Sequence, residues 1–192
     1  MLEKFLSKKR AQIADKLISP YHRNGRILDI GCGEFPYFLI NTRFNEKYGI
    51  DRIGENAGFR DKDGQDICIK SYDIEKEGLK LFEDAYFDTV TMLAVMEHFE
   101  PRSMPYIIKE IKRVLKPEGV LIFTTPAPWT RMILELLSRL RLISRRMIQE
   151  HKALYNKKGI CLMLKDCGFL EEKMRFGTFE FFMNTWSVAI NE

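Results

Sequence analysis

Residues Arg26 to Leu39 read RILDIGCGEFPYFL. A short apolar run carrying one acid passes through two glycines spaced one apart and then turns apolar and aromatic. That order predicts a strand, a tight loop and the start of a helix. Such a loop sets backbone N–H groups at the carboxyl end of a sheet, where α/β folds bind nucleotide-containing ligands. A dinucleotide fingerprint, G-x-G-x-x-G, needs a third glycine for helix packing beneath a pyrophosphate. Here Gly31 and Gly33 are followed by Pro36, with Phe35 and Tyr37 beside it. A proline and two aromatics suit a cofactor that lacks a pyrophosphate.

Outward from this loop, strand-like and helix-like runs alternate. Leu2, Phe5, Leu6, Ile13, Leu17 and Ile18 follow helical spacing upstream, and Pro20 stops that helix. Downstream, KYGID (Lys47 to Asp51) and ICIKSYD (Ile67 to Asp73) are strand-like and both end in an acid. FDTVTML (Phe87 to Leu93) and VLIFTT (Val120 to Thr125) follow, the latter apolar on both faces like a central parallel strand. Between them Ser103 is placed to cap a helix carrying Ile107, Ile108, Ile111, Val114 and Leu115, which KPEG (Lys116 to Gly119) closes. A helix over about Asn156 to Asp166 ends at Cys167-Gly168, and the aromatic, β-branched tail after Glu171 predicts two further strands. The alternation predicts a βαβ sheet with helices on both faces.

The bulk properties bound the function. A chain of 192 residues, 45% hydrophobic and 30% charged, suits one globular domain. A net charge of +4 does not demand a nucleic-acid partner. Cys32, Cys68, Cys161 and Cys167 form no C-x-x-C pair and the histidines no metal-finger spacing, so no metal site is expected. DKDGQD (Asp61 to Asp66) opens like a calcium loop, but Tyr72 stands where the twelfth-position Glu belongs, so it is read as a turn. The charged N-terminus lacks a signal peptide's apolar stretch, and no run approaches the ~20 apolar residues of a membrane span. The expectation is a soluble, cytoplasmic, thiol-reduced protein.

With DIGCG at the end of the first strand and acids at the next two strand ends, the chain resembles the class I S-adenosylmethionine-dependent methyltransferases. The resemblance implies a Rossmann-like, doubly wound seven-stranded sheet with one antiparallel strand and helices on both faces. It implies one methyltransferase domain over 1–192, with an N-terminal helix in 1–24 and a lid or substrate insertion in 126–155. Asp29, Gly31, Cys32 and Gly33 would hold the methionyl end of S-adenosylmethionine. Asp51, with Arg52, would take the ribose, and Asp73 and Ile74 the adenine. Leu93 and Ala94 would supply backbone contacts. The family's usual third glycine falls at Phe35, a departure from the pattern.

Acceptor chemistry points to LAVMEHF (Leu93 to Phe99). Methyl transfer from a sulfonium is an in-line displacement, so positioning supplies most of the rate. A base is needed only for a hydroxyl or protonated amine acceptor, and His98 and Glu97 are the catalytic candidates. Tyr37, Trp129, His151 and Tyr155 are candidates for contact with the acceptor. No D-P-P-Y-like tetrapeptide follows the fourth strand and no Pro-Cys nucleophile follows a strand. A small-molecule or lipid-linked acceptor is therefore expected rather than nucleic acid. The stretch 129–151 combines an apolar face (Met132, Ile133, Leu136, Leu137, Leu140, Ile143) with Arg131, Arg139, Arg141, Arg145 and Arg146. Two readings stand: a lid with a solvated basic rim, or contact with a membrane surface or an acidic ligand. A nicotinamide-dependent oxidoreductase on the same sheet and a non-catalytic cofactor binder are the rivals. Oligomeric state is left open.

Overall fold

The structure, a computed structural model, describes residues 2–52, 58–130, 155–180 and 182–192. Helix α1 (Leu2–Leu17) precedes β1 (Arg26–Ile30), α2 (Tyr37–Asn41) and β2 (Glu46–Asp51). Then come β3 (Gly58–Arg60), β4 (Asp66–Ser71), α3 (Ile74–Glu77), β5 (Phe87–Leu93) and α4 (Met104–Val114). Strand β6 (Leu115–Pro126), α5 (Lys157–Asp166), β7 (Met174–Phe179) and β8 (Asn184–Ile190) complete the described chain. Short 3₁₀ turns lie at Pro20–Asn24, Met96–His98 and Glu171–Lys173.

The strands form one eight-stranded sheet in the order β3-β4-β2-β1-β5-β6-β8-β7. The β4-β2-β1-β5-β6 run is parallel throughout. β8 lies antiparallel to β6, and β7 antiparallel to β8. This is the expected Rossmann-like α/β fold with one strand more than the seven expected. The addition is β3, a three-residue antiparallel edge strand on β4. It is too short and too glycine-marked to show period-two alternation, so no sequence pattern announced it. The DKDGQD turn builds it: Asp61 accepts from the backbone N–H groups of Asp63 and Gln65 at 2.8 and 2.9 Å.

The parallel strands are apolar on both faces because both are covered. On one face α1 and α2 set Ala11, Ala14, Phe38 and Leu39, with Ile18 just past α1, against Ile27, Ile69, Ile122 and Val188. On the other, Ile107, Ile108 and Ile111 of α4 with Ile160 and Leu164 of α5 pack on Leu28, Val90, Leu121 and Phe123. Alternation along β1 and β6 feeds both cores, as a doubly covered sheet requires.

Two local expectations are corrected. Ser103 sits at the start of α4 in helical conformation (φ −84°, ψ −21°) without a side-chain cap; its carbonyl accepts from Ile107 instead. KPEG does not close α4 as a separate turn, because β6 already begins at Leu115, paired with Phe87. Within KPEG the register shifts and Glu118 takes φ +62°, bulging the strand before the regular pairing from Val120. The bounds of α5 are close to those expected: Asn156 caps its start by accepting from Gly159 N–H at 2.8 Å, and Gly168 follows its end at φ +91°. Residues 131–154, most of the expected lid with His151, lie outside the described residues.

Candidate active site

Every parallel strand ends on the same edge, and the glycine loop turns there. Gly31 N–H and Cys32 N–H both donate to the Ile50 carbonyl, at 2.8 and 3.3 Å, which folds the loop over the end of β2. Gly31 is required on two counts. Its φ is +74°, and a Cβ there would lie 2.3 Å from a Val95 methyl. The loop after β1 thus rests directly on the segment after β5. Gly33, at φ +72°, donates its N–H to Asp51 Oδ2 at 2.8 Å. A Cβ on Gly33 would meet no atom of the described residues within 4 Å, so those residues leave the loop open at that point.

The acids differ in environment. Asp29 is buried, and Thr91 Oγ1 donates to its Oδ1 at 2.6 Å. Burial pushes its carboxyl up to about 7, against the Thr91 hydrogen bond and helped by the charge of Asp51. Asp51 ends β2 with its carboxylate against the loop. Asp73 lies just past β4 and caps α3, accepting from Glu75 N–H at 3.1 Å and pairing with Lys76 at 3.3 Å. Ile74 turns its side chain into the α4-side core, leaving its backbone as the part available at the edge. Arg52 is exposed and forms an ion pair with Glu75 at 3.7 Å.

Cys32 is a filler beneath the loop. Burial, followed by the charges of Asp29 and Asp51, pushes its thiol well above the ordinary range. Room for it exists because Gly49 has no side chain; a Cβ there would sit 2.9 Å from the Cys32 sulfur. Phe35, where the family places glycine, is exposed, with its ring edge-on to Phe59 of β3 at 6.2 Å.

Past β5, Ala94 takes φ +59° and donates its N–H to the Thr124 carbonyl at 3.0 Å, bending the chain into the Met96–His98 turn. Leu93 and Ala94 are half-buried at the rim of this edge. Glu97 is buried, 1% exposed, and burial pushes its carboxyl up to about 7, opposed by the Arg10 charge and the nearby Thr125 hydroxyl. His98 stands beside it, half-buried. Tyr155 packs on the α4-side core, and its hydroxyl is raised by burial and by the charge of Glu97.

The Glu97 charge acts on the Tyr155 hydroxyl, and His98 follows Glu97 in the turn after β5. Trp129 is exposed and donates Nε1–H to the Phe182 carbonyl at 3.1 Å, while Tyr37 packs at the start of α2 on the opposite core. Thr91, Arg10 and Thr125 were missed by sequence reasoning. Thr91 and Thr125 each carried a signal, a hydroxyl within an apolar strand; the pairing of Thr91 with Asp29 appears in the register of β1 on β5.

A loop of backbone donors ringed by strand-end acids on a parallel sheet defines a nucleotide-type cofactor site. The family follows directly: a profile described as "Methyltransferase domain" matches residues 2–170. The chain belongs to this family of class I S-adenosylmethionine-dependent methyltransferases and is an enzyme of methyl transfer. No curated protein matches the sequence.

Among solved structures, a SAM-dependent methyltransferase from Archaeoglobus fulgidus is similar at 15% identity and TM-score 0.67, covering 97% of this chain and 94% of that one. Phosphoethanolamine N-methyltransferase 2 of Haemonchus contortus, in complex with phosphomonomethylethanolamine and S-adenosylhomocysteine, aligns at 15% identity and TM-score 0.67. That alignment covers 95% of this chain and 52% of that one. A possible histamine N-methyltransferase from Thermotoga maritima aligns at 12% identity and TM-score 0.67, covering 97% and 90%. Among the described residues no helix is long and apolar enough to cross a membrane, and no three or more His, Cys, Asp or Glu gather as a metal site.

Proposed function

We propose that the chain methylates a small molecule, with the cofactor laid along the carboxyl edge from β4 to β5. The observation that carries this is the bond from Gly33 N–H to the Asp51 carboxylate beside a loop that the described residues leave open. Asp29, Gly31, Cys32 and Gly33 would receive the methionyl end, the two glycines by bare backbone and Cys32 by its main chain. Asp51, with Arg52 next to it, would receive the ribose hydroxyls, since a carboxylate accepts two such bonds at once. Asp73 and the Ile74 backbone would bound the adenine. Bound there, S-adenosylmethionine supplies an activated methyl group, and the residues from Leu93 to His98 border the transfer. Trp129, Tyr37 and His151 are assigned to the acceptor's periphery.

The small-molecule assignment draws on the two neighbours named for methylating small amines. It also draws on the absence of the tetrapeptide used on exocyclic amines. The test is transfer from methyl-labelled S-adenosylmethionine to a panel of small amines, phenols and lipid-linked metabolites, with bulk RNA and protein alongside. Label in a small molecule is expected. Label confined to RNA or protein overturns the proposal.

A further inference from the structure

We propose that the buried pair Lys47–Asp61 positions the cofactor loop: it fixes the end of α2, and through it the stretch from Gly31 to Phe35, against the β3–β4 hairpin. This role rests on the cofactor reading above and adds the residues that keep that site in shape. Lys47 comes from β2 with its side chain 0% exposed, and the side chain of Asp61 facing it is 4% exposed. The ammonium donates to three oxygens: the Leu39 carbonyl at 3.2 Å, the Thr42 carbonyl at 2.6 Å and Asp61 Oδ2 at 2.5 Å. Two of these are main-chain oxygens at the end of α2, and the third belongs to the turn between β3 and β4. Charge-assisted hydrogen bonds are short and directional, so this one side chain sets the spacing between helix and hairpin.

Stability alone does not account for the pair. Apolar side chains of similar volume often stabilise a fold as well as a buried ion pair does, but they cannot hold oxygens at fixed distances. The link runs from the end of α2 back to the loop. A Cβ on Gly49 would lie 2.9 Å from the Cys32 sulfur and 3.0 Å from a Leu39 methyl, so both side chains close over the same bare backbone. Moving Leu39 therefore disturbs the seat of Cys32, and the next residue, Gly33, is the donor to Asp51. Helix α2 has five residues and no side-chain cap at Pro36, so little within the helix itself resists such a shift.

The hairpin also meets the loop directly. Phe35 sets its ring edge-on to Phe59, two residues before Asp61, so loop and hairpin touch at two points. Thr42 is anchored on its other side as well: its hydroxyl donates to Asp15 at 2.7 Å and accepts from Arg23 at 3.2 Å. Lys47 supplies the matching tie from the sheet. The DKDGQD turn thereby gains a function, with Asp61 Oδ1 organising the turn and Oδ2 holding the ammonium.

The experiment compares full-length wild type, the double variant Lys47→Met/Asp61→Asn, and Asn191→Ala as a remote control. Asn191 bonds the Leu115 and Lys116 carbonyls at the opposite edge of the sheet. The double variant removes both charges and keeps the acceptor that organises the turn, so its urea midpoint should stay within about 1 M of wild type. It leaves the Leu39 and Thr42 carbonyls without their donor, and its Kd for S-adenosylhomocysteine should rise at least about fivefold. In the ligand-free protein, hydrogen exchange at the amides from Gly31 to Thr42 should speed up at least about tenfold, with those of β6 unchanged. Asn191→Ala should lower the urea midpoint while its Kd stays within about twofold. Unchanged affinity, loop exchange that is unchanged or rises equally in β6, or an equal rise of Kd in the control overturns the proposal. If the double variant does not fold, Lys47→Gln, whose shorter side chain cannot reach all three oxygens, decides by the same readings. Failure of the wild type to bind S-adenosylhomocysteine instead overturns the cofactor reading, and the exchange rates then decide the role of the pair alone.

Discussion

Replacing Asp29 by Asn should stabilise the ligand-free protein, and by more as the pH rises. Burial lifts the Asp29 carboxyl from the ordinary 3.8 to about 7. A carboxyl whose folded value is raised adds stability below its unfolded value, and that stability is lost as pH rises through the folded one. At about pH 5 the penalty for Asp29 is about 2 kcal/mol, and above about pH 8 it saturates at about 4 kcal/mol, as an upper bound. Asn keeps an oxygen for the Thr91 hydroxyl and carries no charge, so it escapes this penalty. Glu97 is also raised to about 7, but it is present in both proteins and cancels in their difference. Urea unfolding of both proteins at about pH 5 and about pH 8.5 measures the effect. The advantage of the variant should grow by about 2 kcal/mol or more between them. A difference that does not change with pH refutes the assignment of a desolvated carboxyl at Asp29. The natural sequence keeps this cost, which is reasonable if a cationic ligand group is to meet a carboxylate there.

Gly31→Ala should destabilise by about 1–3 kcal/mol, through positive φ and the Val95 clash, and Val95→Ala should restore part of this in thermal unfolding. Lys47 is fully buried, donating to the Leu39 and Thr42 carbonyls and to Asp61. Asp61→Ala leaves that ammonium without its counter-ion and should cost about 3–5 kcal/mol in urea unfolding, a loss that Lys47→Met in the same chain should largely remove. Iodoacetamide on the native protein should label exposed Cys68 well before buried Cys32, whose thiol resists ionisation; mass spectrometry of early time points reads the order.

The parts of the fold that were legible in the sequence are those whose periodicity and punctuation agree. β5 was expected from Phe87 to Leu93 and is found there, because an apolar, β-branched run between turn residues has few alternatives. The strand-end acids Asp29 and Asp51 were legible for the same reason: they follow apolar runs directly. What was hidden depends on pairing across the sheet. β3 exists only because β4 offers an edge, and the side-chain hydrogen bond at Asp29 only because β1 and β5 align it with Thr91. Ser103 shows the limit of a local rule: a hydroxyl just ahead of a helix can take helical backbone angles and make no side-chain cap.

The central claim is that the loop after β1, with Asp51, holds S-adenosylmethionine. Calorimetric titration of the purified protein with S-adenosylhomocysteine, with NADH in parallel, tests it most directly when wild type is compared with Asp51→Ala. Binding of S-adenosylhomocysteine at about micromolar Kd, weakened at least about tenfold in the variant, is the predicted result. Binding of NADH alone, binding of neither compound, or equal S-adenosylhomocysteine affinity in both proteins contradicts it.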